Sequence, residues 1–392
     1  MPTFIATTQQ GLEPVLAKEL TQLGLNINEP LLKRAVSFEA DNAGLYRANL
    51  SLRTALHILK PIANFSADDA QKLYRQAMQF DWRSLMRAGD TFAIYPVVKS
   101  PYFRHSQYAA LCLKDAIADR FKQEIGRRPS VDTNNPDFRI YLRIHNDDCT
   151  ILLDSSGESL HKRSYRSESN EAPLNEVLAA GMLSLSEWHG QTDLADVFCG
   201  SGTLLIEAAL LARNMSPNQH RLHFGFHKWP DFDDLTFRRV KQQALDAQRP
   251  FDHLIYGSDI SSSSVHIAQR NARRAGVADS IRFKTAAFEH TLPPTPATTL
   301  IMNPPYGERM QIDDLSDLYA RLGSCLKHNY SGCQAWVLSG NKEMMHQIGL
   351  KPRKKYNLLN GAIDCVFYGY DLYEGSKKDR YTQEIIPEEN NL

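Results

Sequence analysis

Three short segments carry residues whose types and spacing suit chemistry. The first is Asp196-Val-Phe198-Cys-Gly200-Ser201-Gly202-Thr203, followed at once by the apolar run LLIEAALLA. Glycines at this spacing let backbone approach a ligand where a side chain would block it. Leu205 stands where a third glycine would complete a dinucleotide pyrophosphate fingerprint, so that ligand is disfavoured. The second segment is Gly257-Ser258-Asp259-Ile260. A carboxylate at a strand end can accept both hydrogens of a ribose diol, and it can equally cap the helix that follows. The third is Ile301-Met-Asn303-Pro304-Pro305-Tyr306-Gly-Glu-Arg309. Its prolines fix φ and remove donors, which leaves carbonyls free to accept. The Asn303 side-chain oxygen and the Pro304 carbonyl can each take one hydrogen of an amino group, aiming its lone pair at an electrophile. Tyr306 can stack on an unstacked nucleobase.

These segments need strands that end together. From residue 175 the pattern alternates between helix and strand: helix 175–187, strand 194–198, helix 203–214, strand 254–258, helix 263–275, strands 281–284 and 299–302, helix 315–328, strand 334–338, and a strand pair around Asn360-Gly361. This predicts a doubly wound, mostly parallel α/β sheet with an antiparallel edge. Between Thr203 and Asp259 the chain is far longer than one crossover requires. Residues 216–251, with Phe224, Phe226, Trp229 and Phe232, read as an inserted helical excursion.

The N-terminal half is α+β in order. Strands fit 3–7 and 35–40; helices fit the segment after Pro14 and residues 44–59. A second stretch holds a strand at 91–98, a helix at 106–125, and strands at 138–145 and 149–155 around the turn Asn146-Asp147-Asp148. The expected organisation is 1–60, 61–160, 161–375 and a loose charged tail, 376–392.

Composition narrows the class. The 392 residues are 42% hydrophobic and 23% charged, as in ordinary folded proteins, and are long enough for several compact units. Lys plus Arg equals Asp plus Glu at 45 each, which argues against a protein that coats nucleic acid nonspecifically. The six cysteines form no C-x-x-C pair, so neither a zinc ribbon nor a disulfide scaffold is expected. Scattered thiols, no leader-like start and no apolar run near ~20 residues lead to the expectation of a cytoplasmic protein without membrane or metal.

DVFCGSGT and NPPYGER resemble motifs I and IV of amino-methyltransferases. Within that class, LHKRSYR (160–166), APLNE (172–176), FHKWPDF (226–232) and NPPYGER resemble bacterial large-subunit ribosomal RNA guanine-N2 methyltransferases, which carry an N-terminal THUMP RNA-binding domain. LYRANLSLRTALHIL (45–59), KDAIADRF (114–121) and LDSSGESLHKR (153–163) extend the resemblance over nearly the whole chain. It implies a ferredoxin-like segment, a THUMP domain and a Rossmann-like methyltransferase domain. It also implies S-adenosylmethionine as donor, held by Asp196, Phe198, Gly200, Ser201, Gly202, Thr203, Asp259, Ile260 and Phe288, and Asn303, Pro304, Pro305 and Tyr306 as the catalytic loop. The implied reaction is methylation of guanine N2, with 23S ribosomal RNA as substrate. Ala286 departs from the family, replacing an aspartate that would contact the adenine amino group; a backbone contact near Phe288 would substitute.

Three rivals stay open: a methyltransferase acting on adenine N6 or on protein glutamine, one acting on guanine N2 of tRNA, and a noncatalytic ribosome-assembly factor. Residues 99–143 hold nine Lys/Arg against five acids. Lys114, Arg127, Arg128, Arg139 and Arg143 are the candidates for phosphate contact. His220, His223 and His227 read as packing and surface residues, and Lys351-Pro-Arg-Lys-Lys355 as the charged lead-in of an edge strand or a phosphate contact.

Overall fold

A computed structural model describes residues 1–166, 174–306 and 312–373. Gly307, Glu308 and Arg309 of the Asn-Pro-Pro-Tyr segment, Ala172 and Pro173, and the tail lie outside the described residues. The chain divides into two compact units: 1–164 with 216–247, and 165–215 with 248–392.

The first unit runs β1 (Thr3–Thr7), α1 (Glu13–Gln22), β2 (Asn26–Leu32), β3 (Ala35–Glu39), α2 (Asn42–Ser51), β4 (His57–Ser66), α3 (Ala70–Gln79), β5 (Thr91–Lys99), α4 (Ser106–Ile125), β6 (Ser130–Val131), β7 (Phe138–His145) and β8 (Asp148–Asp154). Caps set the helix ends. Asp41 and Asp69 accept from the Gly44 and Lys72 amides at the starts of α2 and α3, and Gly126, at φ 71°, closes α4. All eight strands join one sheet in the order β2-β3-β1-β4-β8-β7-β5-β6. The expected boundary at 60/61 therefore falls inside β4, which pairs with β1 on one side and β8 on the other. The expected helix 44–59 is corrected: it stops at Ser51, and Leu52 turns extended. Leu45, Asn49, Leu52 and Leu56 keep a helical spacing, but 57–66 gains ladder bonds on both edges and buries Ile58 and Leu59. Strand β2 lacks a clear period and escapes a reading by pattern, whereas helix α3, with Leu73 and Ala77 buried four apart, carries a helical period that is absent from the expected elements.

The excursion between the first two motifs belongs to this unit. Its helix α7 (Asp234–Asp246) packs onto α2, and the aromatic turn at 225–228 packs onto β7. The rings of Phe226 and Tyr46 lie 4.7 Å apart, the Phe226 amide donates to the Ser155 carbonyl at 2.9 Å, and the Asp233 amide donates to the Tyr46 hydroxyl at 3.0 Å. His227 sits among Phe224, Phe226, Phe232 and Phe237, and burial lowers its pKa.

The second unit comprises α5 (Glu176–Leu185), β9 (Leu194–Asp196), α6 (Thr203–Ala212), β10 (Ile255–Asp259), α8 (Ser262–Arg274), β11 (Ile281–Thr285), β12 (Thr299–Met302), α9 (Ile312–Asn329), β13 (Gln334–Ser339), α10 (Met344–Gln347), β14 (Lys354–Asn360) and β15 (Ile363–Asp371). Its seven strands are ordered β11-β10-β9-β12-β13-β15-β14. The first five run parallel, and β15 and β14 pair antiparallel at the edge. After β9 the chain adds β10 on one side and β12 on the other. The crevice beyond the ends of β9 and β12 is thus the topological switch point, where such sheets bind ligands.

Candidate functional site

The first motif makes the turn from β9 into α6, and several hydrogen bonds hold it. The Cys199 amide donates to the Ser258 carbonyl at 2.9 Å, the Gly202 amide to the Cys199 carbonyl at 2.8 Å, and the Asn271 side chain to the Ser201 carbonyl at 3.1 Å. Its glycines do different work. At Gly202, φ is 81° and an added Cβ would sit 2.9 Å from the Ala268 Cβ, so only glycine lets the turn pack on α8. At Gly200, φ is 51° and, its chain neighbours aside, no atom of the described residues lies within 4 Å of the place a Cβ would take, which leaves one side of the turn open. That open side fits a ligand approaching backbone.

Asp259 ends β10. Its carboxylate accepts the Gly200 amide at 2.9 Å and the Ser261 amide at 2.9 Å, one on each oxygen. Each oxygen keeps a second lone pair, so the turn-holding role leaves capacity for a diol. Helix α8 is capped by Ser261, not Asp259. Ile260 is 78% exposed, an apolar side chain left in water beside the acid. Asp196 is buried and accepts the Phe198 amide at 2.9 Å; burial pushes its pKa up to about 7, the amide pulls it down, and the Asp259 charge adds to the rise. The rings of Phe198 and Phe288 lie 5.2 Å apart, and Phe288 is buried, which joins two of the expected cofactor residues. The Ala286 amide is taken by the Asp259 carbonyl at 3.0 Å.

Asn303 follows β12, next to β9 in the sheet. Its side-chain oxygen is buried and has no hydrogen-bond partner among the described residues. A buried acceptor left unpaired costs about 1–3 kcal/mol, and native structures retain few of them. The Pro304 carbonyl likewise takes no hydrogen bond among the described residues. The rest of the loop is anchored. The buried Tyr319 hydroxyl meets the Pro305 carbonyl at 3.4 Å and Ser339 at 2.8 Å, and the Asn360 amide donates to the Tyr306 hydroxyl at 2.8 Å.

One residue of this site escaped motif reading. Arg166 donates to the Thr203 hydroxyl at 2.6 Å and to the Leu174 carbonyl at 2.9 Å, and lies 3.2 Å from buried Glu176. It ties the start of α5 to the first residue of α6. An arginine inside the stretch LHKRSYR was the available signal, but nothing in its spacing points to Thr203.

The five basic candidates do not form one patch. Lys114 pairs with Asp115 at 2.6 Å, Arg128 with Asp119 at 2.5 Å, and Arg139 donates to the Tyr95 hydroxyl at 2.6 Å. Arg127 and Arg143 are exposed and make no ion pair among the described residues. Arg139 and Arg143 alternate with buried Phe138, Ile140, Leu142 and Ile144, so they project from the sheet face away from α4, which carries Lys114. The basic stretch near 351 leads into edge strand β14 as expected, with Lys354 paired to Glu187 at 2.7 Å. Among the described residues no group of His, Cys, Asp and Glu could hold a metal, and no helix is long and apolar enough to cross a membrane.

A glycine turn open on one side, an acid on the neighbouring strand and a buried amide oxygen without a partner meet at the end of one parallel sheet. This strand order and crevice are those of the Rossmann-like methyltransferase fold. Residues 163–368 match the family described as RMKL-like, methyltransferase domain; residues 67–154 match the THUMP domain and residues 3–59 the RlmL ferredoxin-like domain. The chain belongs to this RMKL-like methyltransferase family. It is 37% identical to a Synechocystis sp. protein provisionally named an RNA methyltransferase, over 94% of this chain and 97% of that protein. It is 38% identical to ribosomal RNA large subunit methyltransferase K/L of Syntrophotalea carbinolica, over 95% of this chain but only 54% of the relative, so it spans about half of that longer protein. Among solved structures it is similar to a provisionally named methyltransferase complexed with S-adenosylhomocysteine (TM-score 0.85, 28% identity, 96% of this chain and 99% of the other). It is also similar to a Listeria monocytogenes chain named as an N6-adenine-specific DNA methylase (TM-score 0.83, 28% identity, 95% and 96%).

Proposed function

We propose that this chain transfers a methyl group to the exocyclic N2 of a guanine in RNA, with 23S ribosomal RNA as the substrate. The observation that carries the reading is the buried side-chain oxygen of Asn303, which follows β12 and has no partner among the described residues. That oxygen can accept a hydrogen that no described residue supplies. Bound S-adenosylmethionine supplies an electrophilic methyl group. The chain's own residues bind and orient. Asp259 offers its remaining lone pairs to the ribose, Gly200 keeps the approach clear, and Ile260 with the Phe198–Phe288 pair gives the adenine an apolar wall. Asn303 and the Pro304 carbonyl each accept one amine hydrogen, and Tyr306 stacks on a base turned out of its helix. Catalysis then consists of positioning and of dipoles aimed at the developing charge, without a strong general base.

The THUMP-containing first unit grips RNA, with exposed Arg127 and Arg143 the foremost phosphate contacts. Mass spectrometry of ribosomal RNA, from cells lacking the chain and after incubation with the purified protein, tests the proposal. N2-methylguanosine should disappear in the first sample and form in the second. An N6-methyladenosine product would move the protein to the adenine-modifying class, and a failure to bind the donor would leave a noncatalytic RNA-binding factor.

A further inference from the structure

The edge hairpin reaches the catalytic loop. Asn360 and Ile363 are paired, so the loop between β14 and β15 is Gly361 and Ala362, with glycine at φ 64° in the first position. Asn360 is therefore not the turn residue that an Asn-Gly pair suggests; it is the last residue of the strand. Its side-chain amide donates to the Tyr306 hydroxyl at 2.8 Å, and the Cys365 thiol approaches the same oxygen at 3.8 Å. The other end of the tyrosine is confined as well. A Cβ at Gly340 would lie 2.6 and 2.8 Å from the Cδ2 and Cε2 edge of the ring, and 2.9 Å from the Ile363 side chain. The ring edge occupies space that any other residue at 340 would fill.

We propose that Asn360 is a positioning residue for methyl transfer. It fixes the ring on which the target base stacks by holding the Tyr306 hydroxyl, while Gly340 provides the slot. This rests on the reading of Tyr306 as the stacking residue. A tyrosine at the end of a proline-stiffened loop has two free χ angles; one hydroxyl bond and one close edge contact remove most of that freedom before substrate arrives. The hairpin is thereby part of the substrate site, although it carries no group that touches the reacting atoms.

The test is a mutant cycle on the full chain with RNA substrate, reading kcat and KM, with donor binding by calorimetry as the check that each variant is folded. Asn360→Ala, Asn360→Leu and Tyr306→Phe should each lower kcat/KM by about three- to tenfold, the value of one lost hydrogen bond, with donor affinity unchanged. The leucine variant keeps the approximate shape and can neither donate to the tyrosine hydroxyl nor accept from it. In the Tyr306→Phe background, further change at Asn360 should have no effect. Gly340→Ala, which displaces the ring from its slot, should lower kcat/KM by at least as much. Independent, multiplying effects of Asn360→Ala and Tyr306→Phe would overturn the proposal, as would wild-type kinetics in both. If Tyr306→Ala is crippled while Tyr306→Phe and Asn360→Leu are normal, stacking survives and positioning by Asn360 falls. If Tyr306→Ala is itself normal, the stacking role falls and the positioning role with it.

Discussion

The Asp259 carboxylate accepts the Gly200 amide at 2.9 Å, so the acid that ends β10 also holds the turn that follows β9. Asp259→Ala should therefore do two things at once: remove the acceptor proposed for the ribose and release the turn. Calorimetry should show S-adenosylmethionine binding weakened about ten- to hundredfold, from a loss of about 1–3 kcal/mol. Unchanged affinity would take Asp259 out of the site.

Asn303→Ala removes a side-chain oxygen that has no partner among the described residues, so no hydrogen bond described for that oxygen is lost. Donor affinity and melting temperature should stay near normal while turnover falls about 10²–10³-fold, the usual cost of one positioned transition-state acceptor. A variant that keeps near-normal turnover on ribosomal RNA would sink the mechanism.

Asp196 gives donor binding a pH dependence. Its raised pKa of about 7 means that the carboxyl is mostly protonated below that pH and ionised above it. A cationic sulfonium favours the ionised form and so lowers this pKa on binding. Affinity should rise as pH climbs from mildly acidic to about 7 and then level off, with proton release on binding below that point. Calorimetry in buffers of different ionisation enthalpy measures the release. Asp196→Asn should abolish this component; if the pH profile is unchanged in that variant, the proton belongs elsewhere.

The aromatic excursion dictates how the catalytic unit can be isolated. A fragment beginning near residue 165 keeps 216–247 but loses the partners of Phe224, Phe226 and Trp229, so it should aggregate. The Arg249 amide donates to the Arg213 carbonyl at 3.0 Å, which places the ends of the excursion side by side. Replacing 216–247 with a short Gly/Ser linker should give a monodisperse fragment on size exclusion that binds donor but has lost most RNA affinity. Full-length RNA binding should weaken steeply with salt. If the linker fragment methylates RNA as well as the intact chain, the proposed division of labour is wrong.

Much was legible because it is local. The period of α4 marks 106–125 as a helix without reference to anything distant, and β7 announces itself by strict alternation of buried and exposed residues. The glycine turn and the Asn-Pro-Pro-Tyr loop are likewise written as consecutive residues, since ligand approach and carbonyl presentation are set by backbone conformation that glycine and proline dictate.

Helix α2 shows the limit. Its helical spacing runs on past Ser51, and only pairing with β1 and β8 decides that residues 57–66 are a strand. The same holds for the excursion, whose aromatic residues mark it as buried without saying against what. Asn360 is the clearest case, because Asn-Gly signals a turn, yet register moves the turn one residue on and frees the amide for Tyr306, 54 positions away in sequence. By itself, then, the sequence determined the class of sheet, the glycine turn and the proline-stiffened loop, because these follow from near-neighbour backbone chemistry. Only the tertiary structure decided that Asp259 holds Gly200, that Arg166 reaches Thr203 and that the Asn303 oxygen has no partner among the described residues, because those depend on which elements lie side by side.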